Sequence, residues 1–114
     1  MQYPAYTVLM SLYAKERPEY LKESLDSMLA QTVPPAEIVM VKDGPLTEEL
    51  EAVLLDYDSA HPKLFRFVVY AENRGLGYAL QRGMLACSNE IVARMDTDDV
   101  ACPDRMEKQL AALN

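Results

Sequence analysis

The 114-residue sequence has no tryptophan, one histidine and two cysteines, and no long hydrophobic run. A membrane-spanning helix needs ~20 apolar residues, and every run here is far shorter. The first run, Val8 to Met10, is also too short for a signal peptide. Cys87 and Cys102 form neither a zinc motif nor a disulfide framework, which favours a reduced, cytoplasmic setting.

Basic residues are also scarce. Eleven lysines and arginines stand against 18 acidic residues, so the formal net charge is −7. An acidic surface repels nucleic acid and anionic lipid, which argues against a nucleic-acid partner. An anionic ligand is still compatible with this charge if a bound cation provides the attraction. The length suits one small domain and is too short for two.

Short apolar runs alternate with amphipathic segments along the chain. The runs predict buried strands at residues 6–12, 38–41, 64–70 and 91–95, each followed by a helix. The third helix has its apolar residues on one side, namely Leu76, Leu80, Met84 and Cys87. Short connections in a β-α-β-α-β-α-β-α order predict right-handed crossovers. We therefore expect a three-layer α/β/α fold with a mostly parallel sheet in the strand order 3-2-1-4.

Polar residues follow three of the predicted strands. In open parallel sheets, ligands bind beyond the carboxyl ends of the strands, where the strand order reverses. That point lies here between the first and fourth strands, which are followed by residues 11–16 and 96–99. Asp43 follows the second strand beside them. The sequence therefore predicts the functional site at this edge.

Asp96, Asp98 and Asp99 place three carboxylates directly after an apolar strand. Carboxylates so close in sequence repel one another, and a hard cation such as Mg²⁺ or Mn²⁺ would relieve that repulsion. A solvated acidic turn is the alternative. An EF-hand is disfavoured because Ala101 stands at its required glycine, and Gly75-Leu76-Gly77 lacks the third glycine of a dinucleotide fingerprint.

Asp43, in an Asp-Gly-Pro sequence, is compatible with either a turn or a binding role. Its carboxylate can accept a ring N–H from a pyrimidine base. Tyr13 can stack on such a base or simply pack at the strand end.

Four motifs in order carry a resemblance to a known family: YTVLMSLYAKERPEYLKESLDSMLAQT, EIVMVKDGP, NRGLGYALQRGM and EIVARMDTDD. Together they strongly resemble the start of the family 2 glycosyltransferases, which have the GT-A fold. The VKDGP and RMDTDDV sequences are most similar to bacterial enzymes of exopolysaccharide, capsule or O-antigen synthesis, including the amylovoran-biosynthesis type. The resemblance covers essentially all 114 residues.

The resemblance implies roles for the matching positions. Ser11 and Tyr13 would lie against the nucleotide base, and Asp43 would accept a hydrogen bond from it, usually from uracil. The family often has a further acidic residue where this chain has Lys42. The nucleotide pocket would also be lined by Asn73 and Gly75. Asp96 and Asp98 form the Asp-x-Asp motif, which with Asp99 would hold Mn²⁺ or Mg²⁺, and Asp96 would also contact the donor.

The family resemblance implies metal-dependent transfer, with inversion, of a sugar from a UDP-sugar or another nucleoside-diphosphate sugar. The acceptor would be a polysaccharide or a lipid-linked glycan, which would bring the enzyme to the inner membrane. Residues 1–114 would be the nucleotide-sugar-binding lobe, with no catalytic base and with exposed apolar surface that favours self-association. A non-catalytic nucleotide- or metal-binding module and a plain interaction domain are the alternatives.

Overall fold

The computed structural model describes residues 3–113. Within this range the strands are β1 (Thr7–Leu12), β2 (Glu37–Asp43), β3 (Phe65–Tyr70) and β4 (Val92–Arg94). The helices are α1 (Pro18–Leu29), α2 (Glu48–Ala60), α3 (Leu76–Ala86) and α4 (Arg105–Ala111). None of the helices in this range has the length and apolar character that crossing a membrane requires.

The four strands form one parallel sheet in the order β3-β2-β1-β4, which confirms the predicted order. β1 pairs along its whole length with β2, from Thr7 opposite Glu37 to Leu12 opposite Lys42. β4 is shorter than predicted and pairs with only the first half of β1. The chain beyond β4 therefore leaves the sheet while β1 and β2 continue beside it.

Helices cover both faces of the sheet, which confirms the three-layer architecture. On one face, Val8, Met10 and Met40 pack in a large core with apolar residues of α1, α2 and α4. On the other face, Leu9 and Val41 pack against α3 in a smaller core. The alternation of side chains along each strand divides the apolar residues between these two layers.

The predicted apolar side of α3 is wrong at two positions. Leu76 and Met84 are 48% and 51% exposed, whereas Ala79 and Gly83 are buried against the sheet. The small residues allow the α3 backbone to approach Leu9 and Val41 closely. The sequence pattern favoured the large apolar residues, but close packing of this helix requires small ones.

Two glycines of α3 give a matched test of this packing. A Cβ at Gly83 would meet the side chains of Leu9 and Val41 at overlapping distances, whereas a Cβ at Gly77 would meet no atom within 4 Å. We expect Gly83→Ala to lower the free energy of unfolding by about 1–3 kcal/mol through overpacking. Gly77→Ala should raise it by about 0.5–1 kcal/mol, because alanine favours the helix. Urea unfolding measures both, and equal effects would contradict the packing argument.

Candidate functional site

A cleft of about 530 Å³ lies at the carboxyl ends of β1, β2 and β4. Its position is the edge predicted from the topology, where the strand order reverses. All six predicted substrate-binding residues and one more predicted metal ligand line it. They are Ser11, Tyr13, Asp43, Asn73, Gly75, Asp96 and Asp98. Lys15, Glu16, Leu76 and Thr97 complete the lining.

The third predicted metal ligand, Asp99, does not line the cleft but lies next to it. Carboxylate oxygens of Asp96, Asp98 and Asp99 lie within 4.8 Å of one another, and all three residues are exposed. A turn holds the group together, because the Asp99 N–H donates to the Asp96 carbonyl at 3.1 Å. The Asp96 N–H in turn donates to Asp99 Oδ2 at 3.3 Å.

These three carboxylates are not compensated by cationic side chains. The ion pairs within residues 3–113 all involve other carboxylates. Mg²⁺ and Mn²⁺ prefer oxygen ligands. The oxygens of these carboxylates converge and are not occupied by a cationic side chain in any of those ion pairs. The chemistry of the donor set therefore fits a divalent cation.

The charge of the cleft also favours a bound cation. Its lining has one lysine, Lys15, against four carboxylates, those of Glu16, Asp43, Asp96 and Asp98. Such a lining repels an anionic ligand unless a cation is bound with it.

Asp43 is only 4% exposed, and its carboxylate is held by a neighbouring loop. Oδ1 accepts hydrogen bonds from the Tyr70 hydroxyl at 2.7 Å and the Arg74 N–H at 2.8 Å. Oδ2 accepts one from the Gly75 N–H at 3.1 Å. Burial and the contact with Asp43 raise the pKa of Tyr70 well above its ordinary value, so the hydroxyl remains a donor.

A carboxylate offers about four acceptor positions, and three of those on Asp43 are occupied by Tyr70 of β3 and by two N–H groups of the following loop. Asp43 therefore shapes the cleft wall and retains acceptor capacity on Oδ2. The sequence suggested a contact with a base but gave no sign of these partners, because they lie about thirty positions away along the chain.

The turn after β2 fits closely against the same loop. Gly44 has a φ of +84°, and a Cβ there would lie 2.6 Å from the Asn73 backbone nitrogen. The Asn73 side-chain amide donates to the Asp43 carbonyl at 3.3 Å. Glycine at position 44 thus permits the contact that brings Asn73 and Asp43 together at the cleft.

Helix α1 and the chain just after it hold the acidic segment through a polar stripe, which we define as Ser24 and Ser27 of α1 and Gln31 beyond its end. The Ser24 hydroxyl donates to the Asp96 carbonyl at 3.3 Å, and Ser27 Oγ accepts from the Ala101 N–H at 3.0 Å. The Gln31 amide donates to the Cys102 carbonyl at 2.7 Å and accepts from the Met106 N–H at 2.9 Å. The segment from Asp96 to Met106 is therefore fixed against α1.

Sequence reasoning missed the polar stripe. Its signal was present, because Ser24, Ser27 and Gln31 follow one another at i, i+3 and i+7, beside the apolar residues of the buried face. Buried polar groups require hydrogen-bond partners. Ser24 and Gln31 on that face therefore indicated that a segment with unpaired backbone groups packs against them.

A second polar cluster lies at the opposite edge of the sheet, around Glu37 at the start of β2. Its carboxylate accepts hydrogen bonds from the Thr7 hydroxyl and from the N–H and hydroxyl of Ser88. Burial raises the pKa of Glu37, but these bonds and the Arg66 guanidinium outweigh that effect and hold the pKa below its ordinary value of 4.5. The cluster joins the amino ends of the strands and is satisfied internally.

Comparison with known proteins identifies the family of this chain. The family described as "Glycosyl transferase family 2" matches residues 7–114. The chain belongs to this family. Its sheet and helices have the GT-A fold, as in the solved glycosyltransferases that it resembles.

Three relatives illustrate the sequence similarity. An uncharacterized glycosyltransferase of Haemophilus influenzae is 48% identical over 93% of this chain and 39% of its own length. The amylovoran biosynthesis glycosyltransferase AmsE of Erwinia amylovora is 45% identical with the same coverage. The Escherichia coli UDP-Gal:alpha-D-GlcNAc-diphosphoundecaprenol beta-1,3-galactosyltransferase is 37% identical over 91% of this chain and 37% of its own length. The chain thus spans about two fifths of the length of these relatives.

Two solved structures illustrate the structural similarity. The mannosyltransferase PcManGT of Pyrobaculum calidifontis, in complex with GDP-Man and Mn²⁺, has a TM-score of 0.78 and 26% identity over 97% of this chain and 32% of its own. The TarS 1–349 structure from S. aureus, in complex with UDP-GlcNAc, has a TM-score of 0.79 and 21% identity over 95% of this chain and 30% of its own.

The polar stripe predicts a large effect of Gln31→Leu. The substitution leaves the Cys102 carbonyl and the Met106 N–H without their partners, so we expect a loss of about 2–4 kcal/mol in the free energy of unfolding. Gln81→Leu is the control, because Gln81 is exposed on α3 and should change stability by less than about 0.5 kcal/mol. Urea unfolding distinguishes them; equal stabilities would contradict the role of Gln31.

The Asp43 network predicts that Tyr70→Phe lowers the free energy of unfolding by about 1.5 kcal/mol, since a hydrogen bond to a charged group is lost. Tyr78→Phe is the matched control. Tyr78 packs edge-on against Tyr70 at 5.0 Å, and its hydroxyl contacts only exposed Arg82 in the described structure. If the unfolding curves of the two variants coincided, the bond to Asp43 would contribute nothing to the free energy of unfolding.

Proposed function

We propose that this chain is the donor-binding part of an enzyme that transfers a sugar from a nucleoside-diphosphate sugar to a glycan or lipid-linked acceptor. Family membership supports the reaction class. The observation that carries the proposal is the convergence of three uncompensated carboxylates beside a cleft at the carboxyl edge of the sheet.

We propose that Asp96, Asp98 and Asp99 hold Mn²⁺ or Mg²⁺. The distances among their oxygens and the lack of a cationic side chain in any described ion pair with them support this assignment. The cation would neutralise the negative charge that develops on the departing diphosphate. The mannosyltransferase PcManGT, which shares the fold, has been solved with Mn²⁺.

The donor is proposed to be a UDP-sugar, with its base against Ser11 and Tyr13. Tyr13 is 45% exposed at the cleft and presents a ring on which a base can stack. Asp43 retains an acceptor position on Oδ2 for the N–H of a uracil ring. The relative from E. coli is named for UDP-Gal, and the TarS structure contains UDP-GlcNAc.

Inversion at the anomeric carbon requires a general base for the acceptor hydroxyl. Of the carboxylates in the last helical region, Asp104 pairs with Lys108 at 3.1 Å and Glu107 accepts from Thr32 at 2.8 Å. We therefore assign the general base and the acceptor site to residues outside these 114. We expect this chain alone to bind donor without turnover. A lipid-linked acceptor would place the whole enzyme at the cytoplasmic side of the inner membrane.

Calorimetric titration of this chain with UDP, in Mn²⁺ and in EDTA, tests the proposal. We expect Mn²⁺ to strengthen UDP binding, and Asp98→Ala to weaken the binding in Mn²⁺ by more than about tenfold, because a metal ligand is lost. Asp104→Ala is the control, since that carboxylate lies outside the cleft lining and pairs with Lys108. A folded chain that binds none of UDP, GDP and dTDP would contradict the proposal.

A further inference from the structure

Thr97 separates the first two carboxylates of the acidic group and lines the cleft with them. It is 4% exposed, whereas Asp96 and Asp98 on either side are exposed at the cleft. Burial alternates from Met95 to Asp98, so the buried Thr97 lies between two exposed carboxylates on adjacent residues. A contact that fixes Thr97 therefore also restricts the backbone that carries Asp96 and Asp98.

Glu16 is the residue that holds Thr97. Its Oε2 accepts a hydrogen bond from the Thr97 hydroxyl at 2.6 Å. Its Oε1 accepts one from the Arg17 N–H at 2.9 Å, and the Glu16 N–H donates to the Tyr13 carbonyl at 3.1 Å. Glu16 is thus fixed within the loop between β1 and α1, and both of its carboxylate oxygens have a partner.

Glu16 lines the cleft but is not part of the converging carboxylate group. Among the described residues, that group consists of Asp96, Asp98 and Asp99. A carboxylate with both oxygens bonded to protein donors is less available as a metal ligand, because each bond uses a lone pair that a cation requires. The geometry instead gives Glu16 a role in orienting other residues.

We propose that Glu16 and Thr97 are a positioning pair that aims Asp96 and Asp98 at the bound cation, an inference that rests on the proposed function. Outer groups that orient metal ligands affect metal affinity strongly. The pair also links two walls of the cleft. Tyr13 and Lys15 belong to the same β1–α1 loop as Glu16, whereas Thr97 belongs to the segment after β4.

Thr97→Val tests the pair, because valine keeps the shape of threonine and lacks the hydroxyl. The probe is UDP, titrated calorimetrically in Mn²⁺ and in EDTA. We expect Thr97→Val to weaken UDP binding in Mn²⁺ by about tenfold or more and to leave binding in EDTA nearly unchanged. Thr97→Ser retains a hydroxyl and should restore most of the lost affinity. A general loss of structure would weaken both measurements equally.

Thr32→Val is the matched control. Thr32 donates its hydroxyl to Glu107 at 2.8 Å, so the same type of bond is removed at an exposed site that does not line the cleft. It should bind UDP like the unmodified chain under both conditions. A Thr97→Val chain that binds like the Thr32→Val chain would overturn the positioning role and leave the proposed function standing. An unmodified chain without metal-dependent binding would overturn both.

Glu16→Ala keeps the proposal testable if Thr97→Val does not fold. Glu16 is only half-buried, so its truncation is tolerated more readily, and it should also weaken binding in Mn²⁺ selectively. If both variants fold, the double variant should bind about as weakly as Glu16→Ala alone, since Thr97→Val then removes no further bond. Additive losses would show that the two residues act separately and would overturn the pair.

Discussion

The acidic segment depends on hydrogen bonds from side chains of α1 and of the loops at its two ends. Beyond Met95, whose N–H still donates to the Leu9 carbonyl at 3.0 Å, the chain leaves the sheet and has no neighbouring strand to pair with. Its like charges repel one another, so a free loop would spread them apart. The polar stripe on and just after α1 prevents this by bonding the backbone at Asp96, Ala101 and Cys102. Apolar residues of the same helix meanwhile pack into the core.

The sheet topology decides which polar residues can act together. Parallel strands bring all their carboxyl ends to one edge, where Ser11, Asp43 and Asp96 meet although they are far apart in sequence. The amino ends gather the Glu37 cluster, whose donors are used within the protein. The short β4 also places polar residues at the carboxyl edge. It ends beside the middle of β1, so the acidic segment after it can turn across the end of the sheet.

The strand order, the layers and the location of the cleft could all be predicted from the sequence, since they follow from apolar runs, short connections and strand twist. Ser11, Tyr13, Asn73 and Gly75 line the cleft, while their roles toward a ligand remain predictions. The close packing of α3 was not predictable from periodicity, because large apolar residues gave a stronger signal than Ala79 and Gly83. The bonds of Asp43 and Thr97 were also hidden. Their partners lie about 30 to 80 positions away, and no local pattern specifies them.

The contact between Asp43 and the start of α3 has an electrostatic consequence. A helix carries partial positive charge at its amino end, and many nucleotide-binding folds use that end to hold phosphates. Here the Asp43 carboxylate already bonds the N–H groups of Arg74 and Gly75, directly before α3. The negative charge of Asp43 therefore lies at the positive end of this helix and offsets part of it. An anionic ligand that approached this end of α3 would gain less from the helix dipole than it would without Asp43.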